Sequence, residues 1–351
     1  MKTVIADKIG SVAQNKALKR ELRVSEDIPC EEGVLVAVEI QNNKGTYNKL
    51  ELTSGRMAQV KRGDIIIGAL GHRKALFGYS GHLPETLVPG DIIQVLNIGG
   101  VLGICDSVNA NFGQPFDGKV LGAVLEFPIL GERIGVPSRV GFEKLPENPE
   151  VNTHGVPVIA LAGTCMDSGK TAAASAIVSR LRHLGYTVDA FKATGVSLRR
   201  DILAMEDAGA RNTLIFTDYG VVATTAKNGP NVTRKMMDEL CAKKPDVVIF
   251  ELGDGILGAY GVDAILHDKT ITDALSCLIL CANDPVGATG GVNLLKTEFG
   301  LETHLVTGPA TDNEVGRDII RQRLNINAFN AITNGADLGD AVVEILQLEK
   351  S

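Results

Sequence analysis

The sequence predicts two domains of different class: a small all-β domain, then an α/β domain built on a doubly wound, mostly parallel sheet. Three observations predict this. Before residue 143, short apolar runs are separated by Gly-Asp turns with no long helical period between them. After residue 156, apolar runs alternate with helix-like stretches, the βα alternation of a parallel sheet covered by helices. The 351 residues, 44% hydrophobic and 22% charged, have the length and composition of two globular cores.

Residues 1–28 read as an N-terminal extension with some helical content. The strands of the first domain, 1–143, are expected in Gly33-Val-Leu-Val-Ala-Val-Glu-Ile40, Gly63-Asp-Ile-Ile-Ile-Gly68, Gly90-Asp-Ile-Ile-Gln-Val-Leu96, Gly100-Val-Leu-Gly-Ile104 and Lys119-Val-Leu-Gly-Ala-Val124. Short strands at this spacing suggest a small barrel or sandwich. Residues 144–155 are polar and carry two prolines, Pro146 and Pro149, the composition of a linker. In the second domain, 156–351, strands are expected at 156–162, 185–191, 246–251, 275–282 and 302–306. Helices are expected at 169–184, 199–209, 231–243, 262–274, 289–299, 312–323 and 336–348.

Composition excludes several functions. Lys and Arg number 35 against 42 Asp and Glu, a net charge of -7. Residues 1–150 carry 17 basic and 18 acidic groups, and residues 151–351 carry 18 and 24, so neither half is a basic arm. Trp is absent and aromatics make up 4%, leaving few rings for stacking on bases. No nucleic-acid partner is expected. No apolar run reaches the length of a membrane span and the start has no apolar leader, so a cytoplasmic protein with no membrane contact is expected. Cys30, Cys105, Cys165, Cys241, Cys277 and Cys281 lack Cys-x-x-Cys or zinc-like spacing and read as free thiols.

The strongest chemical signal is Val158-Ile-Ala-Leu-Ala-Gly-Thr-Cys-Met-Asp-Ser-Gly-Lys-Thr171. An apolar strand enters a small-residue loop, and Ala172-Ala-Ala-Ser-Ala-Ile-Val opens a helix, the order required of a phosphate-binding P-loop. Gly163, Thr164, Cys165, Asp167, Ser168, Gly169, Lys170 and Thr171 are the expected phosphate-binding residues. Backbone N–H groups there face an anion, Gly169 permits close approach, Lys170 reaches outer phosphates and the Thr171 hydroxyl can ligate Mg²⁺. Thr164 stands where the usual spacing has its first Gly.

Glu251 ends an apolar strand and Asp254 follows one short turn later, which puts both at the carboxyl edge of the sheet, where Mg²⁺ would sit. Asp254 reads equally as a helix N-cap. Asp201 is a third candidate metal ligand or a favourable charge at a helix start. Lys192 also closes a strand, where it would stabilise charge on a transferring group. Arg199 and Arg200 suit an anion clamp or a solvated helix face. In the β domain, Gly71-His-Arg-Lys-Ala-Leu-Phe-Gly-Tyr-Ser-Gly-His82 reads as an exposed loop, with Arg73 either holding a substrate carboxylate or carrying surface charge.

The form Gly163-Thr164, four residues, Gly169-Lys170-Thr171 resembles the loop of dethiobiotin synthetase and of its relatives among cobyrinic-acid amidases. Phe191-Lys192-Ala-Thr194-Gly195 and Val247-Val-Ile-Phe-Glu251-Leu-Gly-Asp254-Gly255 are similar to two further segments of that branch, over about residues 157–310. Cys165 stands where the synthetase has Asp, and Leu252 where the relatives have Gly. The resemblance implies ATP and Mg²⁺, with Lys192 touching phosphate or substrate and Glu251 on the metal. It also implies loops near Asn283 and Asp284 that bracket the base, although ordinary turn chemistry accounts for Asn-Asp-Pro as well. A homodimer or other homo-oligomer is a further implication. The layout also resembles the D-glutamate N-acetyltransferase (DgcN) family, in which the same loop would take acetyl-CoA phosphates.

The expected function is therefore an ATP- and Mg²⁺-dependent ligase or kinase acting on a small carboxylate or amino-acid-like metabolite, with Lys170, Lys192, Arg199 and Arg200 as catalytic groups. Two other readings stay open: an acyl-CoA-dependent N-acyltransferase of a small amino acid, and a nucleotide-gated switch or metallochaperone.

Overall fold

A computed structural model describes residues 1–129 and 134–349. The chain divides into two compact units. One is Met1–Lys144 with Val196–Arg200 and Phe216–Ala223; the other is Leu145–Gly195 with Asp201–Ile215 and Thr224–Ser351.

In the N-terminal unit, β1 (Lys2–Ile5), β2 (Lys8–Ile9) and β3 (Glu21–Ser25) precede β4 (Leu35–Ile40). The helical content expected in residues 1–28 is one 3-10 helix, Ser11–Lys16, and the rest of that stretch is mainly strand. There follow β5 (Lys49–Glu51), β6 (Met57–Gln59), β7 (Ile65–Leu70), β8 (Arg73–Lys74) and β9 (Ser80–His82). The last are β10 (Ile92–Val95), β11 (Val101–Ser107), β12 (Phe116–Glu126) and β13 (Val136–Pro137).

Among these, β12 pairs β4, β4 pairs β7, β7 pairs β11, β11 pairs β10 and β10 pairs β12. The ring closes on itself, which makes a small barrel and removes its exposed strand edges. Alternation along β4 explains why its sequence is apolar throughout. Val36, Val38 and Ile40 enter one hydrophobic cluster, while Leu35 and Ala37 enter a second on the opposite face. In β7, Ile66 and Leu70 divide from Ile67 and Ala69 in the same way. The bulge in β12 between Val120 and Gly122 lets this 11-residue strand bend around the ring.

Two segments that lie late in the sequence belong to this unit, and polar contacts fix them there. Asn97 donates to the Ser197 carbonyl at 2.8 Å, and Glu32 accepts the Val222 and Ala223 N–H groups at 3.1 Å.

The C-terminal unit follows the order β14 (Val158–Gly163), α1 (Lys170–His183), β15 (Val188–Lys192), α2 (Arg200–Asp207), β16 (Thr213–Ile215), α3 (Gly229–Cys241) and β17 (Val247–Glu251). Then come α4 (Val262–His267), α5 (Lys269–Thr272), β18 (Leu275–Cys281), α6 (Pro285–Phe299), β19 (Leu305–Thr307), α7 (Glu314–Leu324), β20 (Asn327–Ala328) and α8 (Gly335–Leu346). The sheet runs β16-β15-β17-β14-β18-β19-β20, and every pairing is parallel. Every residue of β14, β15 and β17 is buried, as expected of parallel strands covered on both faces. The fold is thus α/β with a P-loop-type parallel sheet, preceded by an antiparallel β unit.

Local chemistry sets where these helices begin and break. The single helix expected over 262–274 is split because Asp268 adopts extended backbone and its carboxylate accepts the Thr270 N–H. Helix α6 starts four residues before the expected 289, since Asp284 caps it and Pro285 suits the first helical position. All six cysteines are free. Among the described residues, no helix is long and apolar enough to cross a membrane.

Candidate functional site

The loop from Gly163 to Thr171 joins the central strand β14 to α1. Two successive departures from ordinary backbone shape it: Asp167 has φ 56° and Gly169 has φ 89°. Positive φ at a short Asp and at a Gly curls the chain so that main-chain N–H groups can converge on an anion. From beyond the loop, Gly308, with φ 94°, packs under it. A Cβ there would lie 2.3 Å from the Ser168 carbonyl oxygen, so only glycine fits.

Lys170 begins α1 and is 5% exposed. Its Nζ donates to the Cys165 carbonyl at 2.9 Å, the Asp254 carbonyl at 2.6 Å and the Ser168 hydroxyl at 3.3 Å, which uses all three ammonium protons. Asp254 is not a helix cap; it sits in left-handed backbone, φ 71°, in the loop after β17. Thr171 Oγ1 donates to Glu251 Oε2 at 3.0 Å, joining the start of α1 to the carboxyl end of β17.

Glu251 pairs in register with Lys192 on β15. Lys192 and Asp201 form a buried ion pair, so the carboxylate expected on a metal is held by an ammonium. Burial pushes the Glu251 carboxyl up, and the Asp201 charge pushes it further. Lys192, Lys170 and the Thr171 hydrogen bond oppose that rise. Burial also pushes the Cys281 thiol, at the end of β18, up to about 12, which keeps it a neutral thiol.

The structure thus brings Lys170, Thr171, Lys192, Asp201, Glu251 and Asp254 into one neighbourhood. Asn283 adjoins the loop, its Nδ2 donating to Cys165 Sγ at 3.0 Å, and the main-chain N–H of Thr164 donates to the Cys281 carbonyl at 2.9 Å. Asp284 spends its Oδ1 on the N–H groups of Val286 and Gly287, the turn role open to it from the sequence. Arg199 belongs to the N-terminal unit: its N–H donates to Glu51 at 2.7 Å and its guanidinium to the Thr53 carbonyl at 2.6 Å. Arg200, the first residue of α2, is assigned to that unit too.

Sequence reasoning missed Gly308. Its only local signal is the Thr-Gly-Pro turn at the end of β19, and its role depends on a loop 140 residues earlier. In the β unit, Arg73 is not on an exposed loop. It is 4% exposed and donates to the Leu96 carbonyl and the Tyr47 hydroxyl.

No family model matches the chain, and no curated protein matches it. Among solved structures it is similar to the signal recognition particle receptor FtsY from Elizabethkingia anophelis, at 16% identity over 56% of this chain and 68% of that one, with a TM-score of 0.38. It is similar to a DUF1611 family protein from Anabaena variabilis at 14% identity over 57% and 63% of the two chains, with a TM-score of 0.40. A third likeness is to the cell division protein FtsY from Thermotoga maritima, at 18% identity over 59% and 72%, with a TM-score of 0.39. At these identities and TM-scores the likenesses carry no argument about ligand or reaction.

Proposed function

We propose that the C-terminal unit binds ATP with Mg²⁺ at the Gly163–Thr171 loop and uses it to activate a small carboxylate or to phosphorylate a small, amino-acid-like metabolite. The observation that carries this reading is the Thr171–Glu251 contact beside Lys170. A hydroxyl at the first turn after a phosphate loop and a carboxylate at the end of a neighbouring strand are the oxygen donors Mg²⁺ takes when phosphates complete its shell. Among the described residues no group of three or more His, Cys, Asp or Glu could hold a metal alone, which fits an ion that arrives with the nucleotide.

Mg²⁺ at Thr171 and Glu251 would supply neutralisation of charge on the phosphate oxygens. The protein's own groups do the rest. Main-chain N–H groups of the loop and of the first turn of α1 bind the phosphates. Lys170 exchanges its carbonyl partners for phosphate oxygens, a stronger partner for an ammonium in a buried place. Lys192, held in position by Asp201, adds positive potential near the transferring group. In the carboxylate case, a substrate oxygen attacks the γ-phosphorus and ADP departs with the electron pair of the broken P–O bond.

Thermal unfolding of the protein with ATP, ADP, GTP and acetyl-CoA, each in Mg²⁺ and in EDTA, tests the reading. At about 100 times its dissociation constant a ligand adds about 2.7 kcal/mol, enough to raise the Tm by a few degrees. Stabilisation by ATP or ADP in Mg²⁺ alone is expected. Stabilisation by acetyl-CoA regardless of Mg²⁺, with none by ATP, would replace this reading by the acyltransferase one.

A further inference from the structure

The segment that follows β17, residues 252–258, lies across the first half of the phosphate loop and is fastened to it at several points, all within the C-terminal unit. The Ile256 N–H donates to the Gly163 carbonyl at 2.9 Å. Gly255 packs on the main chain of Thr164 and Cys165. A Cβ there would come within 2.9 Å of the Thr164 carbonyl oxygen and of the Cys165 Cα, so the contact is backbone on backbone. The Asp254 carbonyl, in turn, accepts from Lys170 Nζ at 2.6 Å.

This last fastening runs through a charged donor, and a phosphate competes for that donor. Lys170 gives its protons to the carbonyls of Cys165 and Asp254 and to the Ser168 hydroxyl. A phosphate oxygen that takes one of them displaces one of these acceptors. Cys165 and Ser168 belong to the phosphate loop itself and stay beside Lys170 whatever the loop binds. Asp254 belongs to a different element, so loss of its bond changes how that element is held. Its backbone also stands at φ 71°, a region that residues with a side chain enter at a cost, and the Lys170 bond holds it there. The turn closes at Gly258, whose N–H donates to the Gly255 carbonyl at 2.8 Å. A Cβ on Gly258 would meet Asp254 Oδ2 at 2.5 Å.

We propose that residues 252–258 form a strap that Lys170 latches and that the phosphates of a bound nucleotide unlatch. The ammonium leaves the Asp254 carbonyl for a phosphate oxygen, and the strap loosens. The nucleotide shifts the equilibrium this way because Lys170 reaches the phosphate fully only after it has released the strap. This inference rests on the reading of the Gly163–Thr171 loop as a nucleotide site, and it adds a direction to that reading: occupancy loosens the neighbouring segment instead of ordering it.

Hydrogen exchange of the full-length protein, followed by mass spectrometry in peptides covering 252–258, tests the latch. Peptides from α8 (Gly335–Leu346) report overall stability, and calorimetry under the same conditions reports whether ATP with Mg²⁺ binds. ATP with Mg²⁺ is expected to speed exchange in the strap at least ~10-fold, through more frequent opening of the Ile256 and Gly258 hydrogen bonds. Lys170→Ala should do the same without nucleotide and leave α8 unchanged; Lys170→Met, which keeps the buried stem, is the second variant. Unchanged exchange in the strap of both variants would overturn the latch whether or not ATP binds, and so would a rise that extends to α8 in both. ATP that binds but leaves strap exchange unchanged, or slows it, would overturn the unlatching and leave the nucleotide site standing. Absence of ATP binding would overturn the nucleotide reading and the unlatching together.

Discussion

In the C-terminal unit the buried ammonium of Lys192 is paired with Asp201, whereas in the N-terminal unit the buried guanidinium of Arg73 donates to a carbonyl and a phenol and meets no carboxylate among the described residues. The difference separates two ways of tolerating a charge inside a protein. An ion pair is a closed arrangement in which each partner depends on the other. A cation held only by neutral dipoles keeps its field, and that field is available to an outside anion.

Breaking the closed pair should have the largest effect. Asp201→Asn removes the carboxylate of the buried Lys192–Asp201 pair, and a loss of about 3–5 kcal/mol in urea unfolding is expected. Arg73→Met provides the contrast. It removes a charge that has no counter-charge among the described residues but takes a donor from the buried Leu96 carbonyl, and should cost about 1–3 kcal/mol. Similar losses in the two variants would show that the distinction between the units is wrong.

The floor of the phosphate loop comes next. Gly308→Ala forces a Cβ against the Ser168 carbonyl at a positive φ, and about 2 kcal/mol of stability should be lost. The same variant should weaken nucleotide binding, because the loop must shift to make room.

Glu251 gives the smallest expected effect and the one with a sign to check. Its folded-state pKa lies above the ordinary 4.5, so between 4.5 and that raised value the folded chain binds one more proton than the unfolded chain. The stabilising contribution of the protonated group is complete below pH 4.5 and is lost as pH rises through the raised value. The slope from this group is at most about -1.4 kcal/mol per pH unit in that window. Unfolding of the ligand-free protein should therefore become easier with rising pH there, and Glu251→Gln should flatten the profile. An unchanged profile in the variant would mean that Glu251 is ionised throughout that window.

The sequence made the loop legible because its determinants are consecutive: the strand, Gly169-Lys170-Thr171 and the helix start all lie within about 20 residues. Glu251 was legible for a related reason, since a carboxylate closing an apolar strand of a parallel sheet must fall at the carboxyl edge, where Thr171 meets it from 80 residues away. The Lys192–Asp201 pairing was not, because a strand-end lysine and a helix-start aspartate are each compatible with several partners. Strands β16 and β20, three and two residues long at the sheet's margins, carry too few apolar positions to show a period. The barrel followed from its runs, but the burial of Arg73 did not. Arg73, Tyr47 and Leu96 come from separate segments and meet only through pairings that no local pattern encodes.

The most direct measurement is calorimetric titration of the wild type and of Lys170→Ala with ATP, in Mg²⁺ and in EDTA, with far-UV circular dichroism to confirm that the variant is folded. Binding by the wild type in Mg²⁺ is expected, with a loss of about 100-fold or more, equivalent to about 2.7 kcal/mol, in folded Lys170→Ala. Undiminished affinity in folded Lys170→Ala would contradict the assignment of the Gly163–Thr171 loop as the phosphate site.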